Sequence, residues 1–206
     1  MKLYYKSGSS SLAPHIVLAW LGQPYELEKA NTRDPEFLKI NYMAAVPVLI
    51  TEDMGALYQT TAILRYLARL PEGEFLGPGT DPVLQYQCDY WLSFFCSDVF
   101  GAFVPYFAPR KYTRDRSYAA QDAIKAAVPE RVDRLLKRMD NHLASRTYYM
   151  DEHKSIIDAY GFTMAFWATL VMPNGLEPYP HLARHFQDMK EDPGVRRALE
   201  EEGLQF

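Results

Sequence analysis

No stretch of this sequence stays apolar long enough to cross a membrane, and the opening segment MKLYYKSGSSSLAPHIVLAWLG has basic residues without the apolar run of a secretory leader. A cytoplasmic location is expected. No block of like charge occurs either: the 22 basic and 26 acidic residues are interleaved, for a formal net charge of −4. Nothing here would neutralise a phosphate backbone, so nucleic acid and anionic membrane are excluded as partners. Cysteine is scarce. Cys88 and Cys96 lie eight residues apart in an aromatic, helix-like stretch, a spacing that is neither C-x-x-C nor a metal-ligand set. A disulfide within one helix is geometrically implausible. Both are read as buried, reduced thiols acting as small hydrophobes, and no metal is expected.

What is present begins with a 48% hydrophobic composition, ample for a full core. The first third alternates strand and helix signals. Lys2–Lys6 is short, aromatic and β-prone; a Ser/Gly turn then leads to Leu12–Leu21, apolar at helical spacing, with Gly22 as its stop. Tyr25–Glu28 reads as a strand and Pro35–Ile40 as a helical turn. Val46–Thr51 and Ala56–Tyr58 form a hairpin, and Thr60 or Thr61 caps a helix over Ala62–Leu70. With a right-handed crossover, this order gives a four-stranded mixed sheet flanked by helices. Pro71–Pro82 gathers three prolines and three glycines in twelve positions and is read as a linker without helix or strand. Beyond it the pattern predicts helices only: Val83–Phe107, Ser117–Leu143, Ile156–Val171, Pro180–Glu191 and Gly194–Glu202. The fold class is α+β, divided as residues 1–76, a linker at 77–82, and an all-helical domain at 83–206.

Three segments have chemical potential. Ser7-Gly8-Ser9-Ser10-Ser11 stands between the first strand and the first helix, where free N–H groups and the helix dipole favour an anion such as a thiolate. Simple capping and turn formation explain the same serines. Ala45-Val46-Pro47-Val48 places a proline at a strand entry, where a cis bond would turn the Val46 backbone groups outward for an extended peptide; a trans proline is the ordinary alternative. Gln59-Thr60-Thr61-Ala62-Ile63 offers an amide, hydroxyls and first-turn N–H groups to a carboxylate, or only a cap.

In this order and at these spacings, the segments resemble the glutathione transferase family. KLYYKSGSSSLAPHIVL and Trp91-Leu92-Ser93-Phe94 are similar to its bacterial beta class. The resemblance implies a thioredoxin-like first domain and glutathione as co-substrate. Pro47 matches the family's cis-proline, Gln59 and Thr60 its γ-glutamyl grip, and Ser155 with Asp158 its capping box in the helical domain. Ala45, Val46 and Arg33 complete the expected glutathione contacts, with Lys39 an alternative to Arg33. Two departures are chemical: Ser10 stands where that class has a cysteine, and Phe100 where it has a histidine. Met43 and Ala45 also replace side chains near glutathione.

Conjugation needs a thiolate, and an ordinary thiol titrates near about 8.5. Lowering that by about two units takes roughly 2.7 kcal/mol. A hydroxyl donor to the charged sulfur contributes about 1.5–3 kcal/mol and a helix N-terminus about 0.3–1. Ser10 is the first candidate donor, followed by Ser9, Ser11 and Tyr5. Phe100, Phe103, Tyr106 and Phe107, with Tyr160 and Trp167 from a later helix, are expected to form a pocket for a hydrophobic electrophile. The same stripe is compatible with core. The surplus of large apolar residues over Tyr86–Phe107 points to a homodimer. Two other functions fit the same residues: a non-catalytic ligand-binding protein of this fold, and a glutathione-dependent disulfide or peroxide reductase. The reductase would need a loop cysteine, and neither Cys88 nor Cys96 lies on the loop.

Overall fold

A computed structural model describes residues 1–150 and 153–204. Four strands, β1 (Lys2–Tyr5), β2 (Glu26–Lys29), β3 (Val48–Thr51) and β4 (Gly55–Tyr58), form one sheet in the order β2-β1-β3-β4. The β1/β2 pair is parallel, with Leu3 opposite Leu27, and the other two pairs are antiparallel, with Leu3 opposite Leu49 and Leu49 opposite Leu57. Helix α1 (Leu12–Leu21) supplies the crossover between β1 and β2; α2 (Pro35–Ile40) and α3 (Thr60–Leu67) complete the unit. Leu3, Leu12, Ile16, Leu49, Ile63 and Leu67 are fully buried between sheet and helices. Gly22 closes α1 in the left-handed conformation, φ 68°, which costs a residue without Cβ little.

Several boundaries differ from the sequence pattern. β3 starts at Val48 because Pro47 has no N–H for the ladder. β2 runs one residue later than expected, and α3 begins two residues earlier, at Thr60, with Gln59 as its cap position. The Pro/Gly-rich segment does hold helix: Pro71–Leu76 forms a 3₁₀ turn, with Pro71 at its first position, where no N–H is needed. Gly73 in this turn lies so close to Leu67 that an added Cβ would sit 2.0 Å from its carbonyl oxygen.

The helical domain opens on α4 (Pro82–Ser93), passes through a π-helical stretch at Phe94–Val99 and continues as α5 (Phe100–Phe107). The predicted single helix over Ser117–Leu143 is two, α6 (Tyr118–Ala126) and α7 (Val128–Leu143), because Pro129 starts a new helix and cannot continue the old one. α8 (Ile156–Val171), α9 (Pro180–Glu191) and α10 (Pro193–Glu202) follow.

α8 is the central post: apart from Thr169 and Leu170 its residues are buried. A mostly apolar helix needs its first turn satisfied from within. Ser155 Oγ accepts from the Ile157 N–H, while the Asp158 carboxylate accepts from Ser155 N–H and Oγ–H (both 2.8 Å), from Tyr149 N–H (3.0 Å) and lies 2.9 Å from His185 Nε2. One buried carboxylate thereby ties α8 to α9 and to the segment before it. α1 of the first domain packs against α8 and α10, making the domain boundary continuous core.

Candidate active site

The loop after β1 is held from the other domain. Gly8 has φ 68°, a conformation that favours glycine, and a Cβ there would press on the Phe166 ring, 3.0 Å from its Cε1. Its N–H donates to Glu202 Oε2 (2.8 Å), and its carbonyl accepts from Trp167 Nε1–H (2.7 Å). Glu202 is itself fixed by His15, whose ring nitrogens lie 3.0 Å from Glu202 Oε1 and 2.8 Å from Glu201 Oε2. Burial alone would raise the Glu201 carboxyl, but hydrogen bonds from Tyr25, Arg197 and His15 hold it down at about 2.

Within this clamped loop the serines divide. Ser11 is fully buried at the N-cap position of α1 without making a cap bond; its hydroxyl donates to the Lys6 carbonyl and meets Ser9 Oγ at 2.8 Å. Ser9 Oγ also accepts from the Ser11 N–H. Ser10 Oγ has no hydrogen-bond partner among the described residues and lines two adjoining cavities. Tyr5 packs on the His15 ring, its phenol pushed upward by burial and then by Glu202 and Glu201; it lines neither cavity.

The first cavity, about 440 Å³, is lined by Ser10, the loop Asn41–Pro47 apart from Ala44, Tyr58, Gln59, Thr60, Cys96, Phe100 and Tyr160. The Val46–Pro47 peptide is cis, and Val46 precedes the first residue of the β3 ladder. Asn41 shapes this loop by donating through Nδ2 to the Ala45 carbonyl (2.8 Å) and accepting from the Met43 N–H (3.1 Å). Two non-glycine residues among those described have positive φ, Ala44 at 54° and Gln59 at 71°, and both border the cavities. Such backbone costs about 1–3 kcal/mol each and is held by its surroundings. Cys96 departs from the expectation of a buried thiol: the π-helical stretch, which shifts register relative to a regular helix, leaves it exposed and facing this cavity. Cys88 is buried, and burial raises its thiol. Tyr160 lines this first cavity rather than the second; burial pushes its phenol up, with Cys96 and Thr60 as hydroxyl-side neighbours.

The second cavity, about 680 Å³, shares Ser10, Ala45, Val46 and Phe100 with the first and is otherwise walled by Val104, Phe107, Phe166, Trp167, Leu170 and Leu204. Lys6–Ser9, Thr32 and Ala44 form its polar side. Phe100 and Phe107 pack on Trp167 at 5.5 and 4.9 Å between ring centroids. Phe103 is fully buried beneath Trp167 and belongs to the core, while Tyr106 packs beside Phe107 outside the lining. Arg33 lines neither cavity, and Lys39 is paired with Glu36. Val104, Phe166, Leu170, Leu204 and Lys6 had no signal in the sequence pattern, because the fold brings them together from four separate segments.

A thioredoxin-like sheet with a serine loop at the end of its inner strand β1, closed by an all-helical domain that presents an apolar groove, defines a two-substrate transferase of thioredoxin fold. The sequence profiles of the Glutathione S-transferase N-terminal and C-terminal domains match residues 1–69 and 93–193. A glutathione S-transferase of Xanthomonas campestris pv. campestris, GST-4.5, is 33% identical over 99% of this chain and the whole of its own. Among solved structures, a sphingomonad glutathione S-transferase complexed with glutathione is 33% identical, with both chains fully covered and a TM-score of 0.86. The bacterial beta class enzyme of Sphingomonas chungbukensis is 30% identical at the same coverage and TM-score. The chain belongs to the glutathione S-transferase family and is a glutathione transferase.

Proposed function

We propose that the first cavity holds glutathione, that Ser10 activates its sulfur, and that the second cavity receives a hydrophobic electrophile. The observation that carries this reading is Ser10 itself, at the junction of the two cavities with a hydroxyl that no described residue engages. The cysteinyl segment of glutathione would pair with the Val46 backbone, and its γ-glutamyl carboxylate would meet Gln59, Thr60 and the first turn of α3. Ser10 Oγ–H donates to the thiolate and stabilises it, while the thiol proton leaves to solvent. Attack on an aryl halide then forms a C–S bond and releases halide. Arg33 has no part in this reading. The division at residues 1–76, 77–82 and 83–206 is retained with it, the first unit carrying glutathione and the last the electrophile.

A glutathione-affinity column followed by conjugation assays with aryl halides, epoxides and isothiocyanates tests the reading. Retention with turnover supports it, and retention without turnover of any electrophile replaces it with ligand binding alone. We further infer a homodimer acting in the cytoplasm, with Val83 and Tyr86 at its interface: they stand 62% and 70% exposed on α4. Sedimentation at micromolar concentration checks this, a monomer being the contrary result. Among the described residues no helix is long and apolar enough to cross a membrane.

A further inference from the structure

Among the described residues the electrophile groove contains one charged residue, Lys6, and no carboxylate lines it. Lys6 is exposed; its main chain is bonded to the Ser11 hydroxyl, but its ammonium makes no ion pair or hydrogen bond with any described residue. Five other lysines are ion-paired: Lys2 with Glu28, Lys39 with Glu36, Lys125 with Asp122, Lys137 with Asp133 and Lys154 with Asp192. Glu202, the carboxylate bonded to this loop, is buried and already engaged by the Gly8 N–H and His15. Beside Lys6, Ser7 also lines the groove, and its hydroxyl is buried without a partner. One side of the groove therefore has an ammonium that no described carboxylate pairs, with the Ser7 hydroxyl buried behind the surface. The other side is an aromatic and aliphatic wall of Phe107, Phe166, Trp167 and Leu170.

A purely apolar ligand would use the wall alone, whereas an aromatic carboxylate also gains a charge-assisted contact with the Lys6 ammonium. We propose that Lys6 is the carboxylate-binding residue of this groove, and that the preferred second substrate is an aromatic electrophile bearing a carboxylate. This rests on the reading of the second cavity as the electrophile site. The same chemistry has one other source, the glycyl carboxylate of glutathione, and the experiment separates the two.

Turnover is measured for native protein, Lys6→Met and Lys6→Arg with a chloronitrobenzoate and its methyl ester, each with glutathione and with its glycyl ethyl ester. In parallel, binding of unreactive nitrobenzoate and methyl nitrobenzoate is read by quenching of tryptophan fluorescence. Lys6→Met should lower the acid-to-ester preference in kcat/KM about tenfold, as expected for loss of one charge-assisted hydrogen bond, and weaken nitrobenzoate binding in the same proportion. Lys6→Arg should keep most of the preference. An acid-to-ester ratio unmoved by Lys6→Met overturns the proposal. So does a loss that follows glutathione against its ethyl ester whichever electrophile is used, which would give Lys6 to the glycyl carboxylate. If the native protein conjugates neither compound, the transferase reading of the groove fails, and the nitrobenzoate titration still decides for or against Lys6.

Discussion

The two cavities meet along Ser10, Ala45, Val46 and Phe100, but they are made of different material. The first is built on irregular main chain, the Asn41–Pro47 loop and the entry to α3, with a cis Val46–Pro47 bond and positive φ at Gln59. Tyr42, Met43, Tyr58 and Tyr160 line it beside the polar groups of Ser10, Asn41, Gln59 and Thr60. The second is mostly side chains of α5 and α8, packed around Trp167. A site of the first kind recognises one peptide-like ligand by its donors and acceptors, whereas one of the second kind accepts shape and apolar area. Substitutions should therefore separate the halves cleanly, affecting glutathione binding on one side and electrophile handling on the other, with Ser10 and Trp167 as the points where the separation fails.

The largest effect is expected at Ser10. Ser10→Ala should lower kcat/KM about 100-fold and raise the pKa of the bound thiol while retention on a glutathione matrix persists. Unchanged turnover with an unchanged thiol titration would move the assignment to Ser9. Next, Thr60→Val should weaken glutathione about tenfold by calorimetry, as expected for removing a hydroxyl from a charged carboxylate, with kcat at saturating glutathione near native. Equal glutathione affinity in this variant would place the γ-glutamyl group elsewhere.

Trp167→Phe keeps most of the aromatic wall and removes the bond to the Gly8 carbonyl. A neutral hydrogen bond of about 0.5–1.5 kcal/mol predicts a fall in kcat of roughly two- to tenfold, with smaller change in electrophile KM. If KM alone moves, Trp167 is only wall. Phe107→Ala sharpens the comparison from the apolar side: with the ring 48% exposed, about 1 kcal/mol or fivefold in electrophile KM is expected, and no change in glutathione affinity. The smallest effect concerns acid stability. The Glu201 carboxyl, depressed to about 2 from 4.5, stabilises the fold above its unfolded pKa, and that contribution is lost as pH falls toward about 2. The Tm gap between native protein and Glu201→Gln should thus be widest near neutrality and narrow progressively from about pH 4.5 to about 2; a constant gap would place the effect in packing.

The same contrast explains what could be read from the sequence. Pro35, Gly22 and Ser155 mark helix ends by local chemistry, and the helices beginning or ending there have the expected bounds. The serine loop, the proline at β3 and the Gln59-Thr60 pair are visible as short runs of particular residue types, although neither the cis Val46–Pro47 bond nor the positive φ of Gln59 follows from those residues alone. The apolar half was less legible. A stripe at helical spacing cannot say which face is core, and Phe103 is buried while Phe107 opens on the groove. Periodicity also assumes a regular helix, so the π-helical stretch and the exposure of Cys96 were invisible. Arg33 was proposed from charge alone, and charge gives no position. Lys6, Phe166 and Leu204 enter the site through contacts between distant segments, which no local pattern records.

The bond from the Gly8 N–H to Glu202 spans 194 positions of sequence. During synthesis the strands and α1 leave the ribosome early and can fold as a unit, but this loop lacks its final anchors until α8 and then α10 have been made. A nascent chain arrested before Glu202 would have β1–β4 in place and its serines unset. Activity should then arrive late and in one step, the newest helix completing the oldest loop.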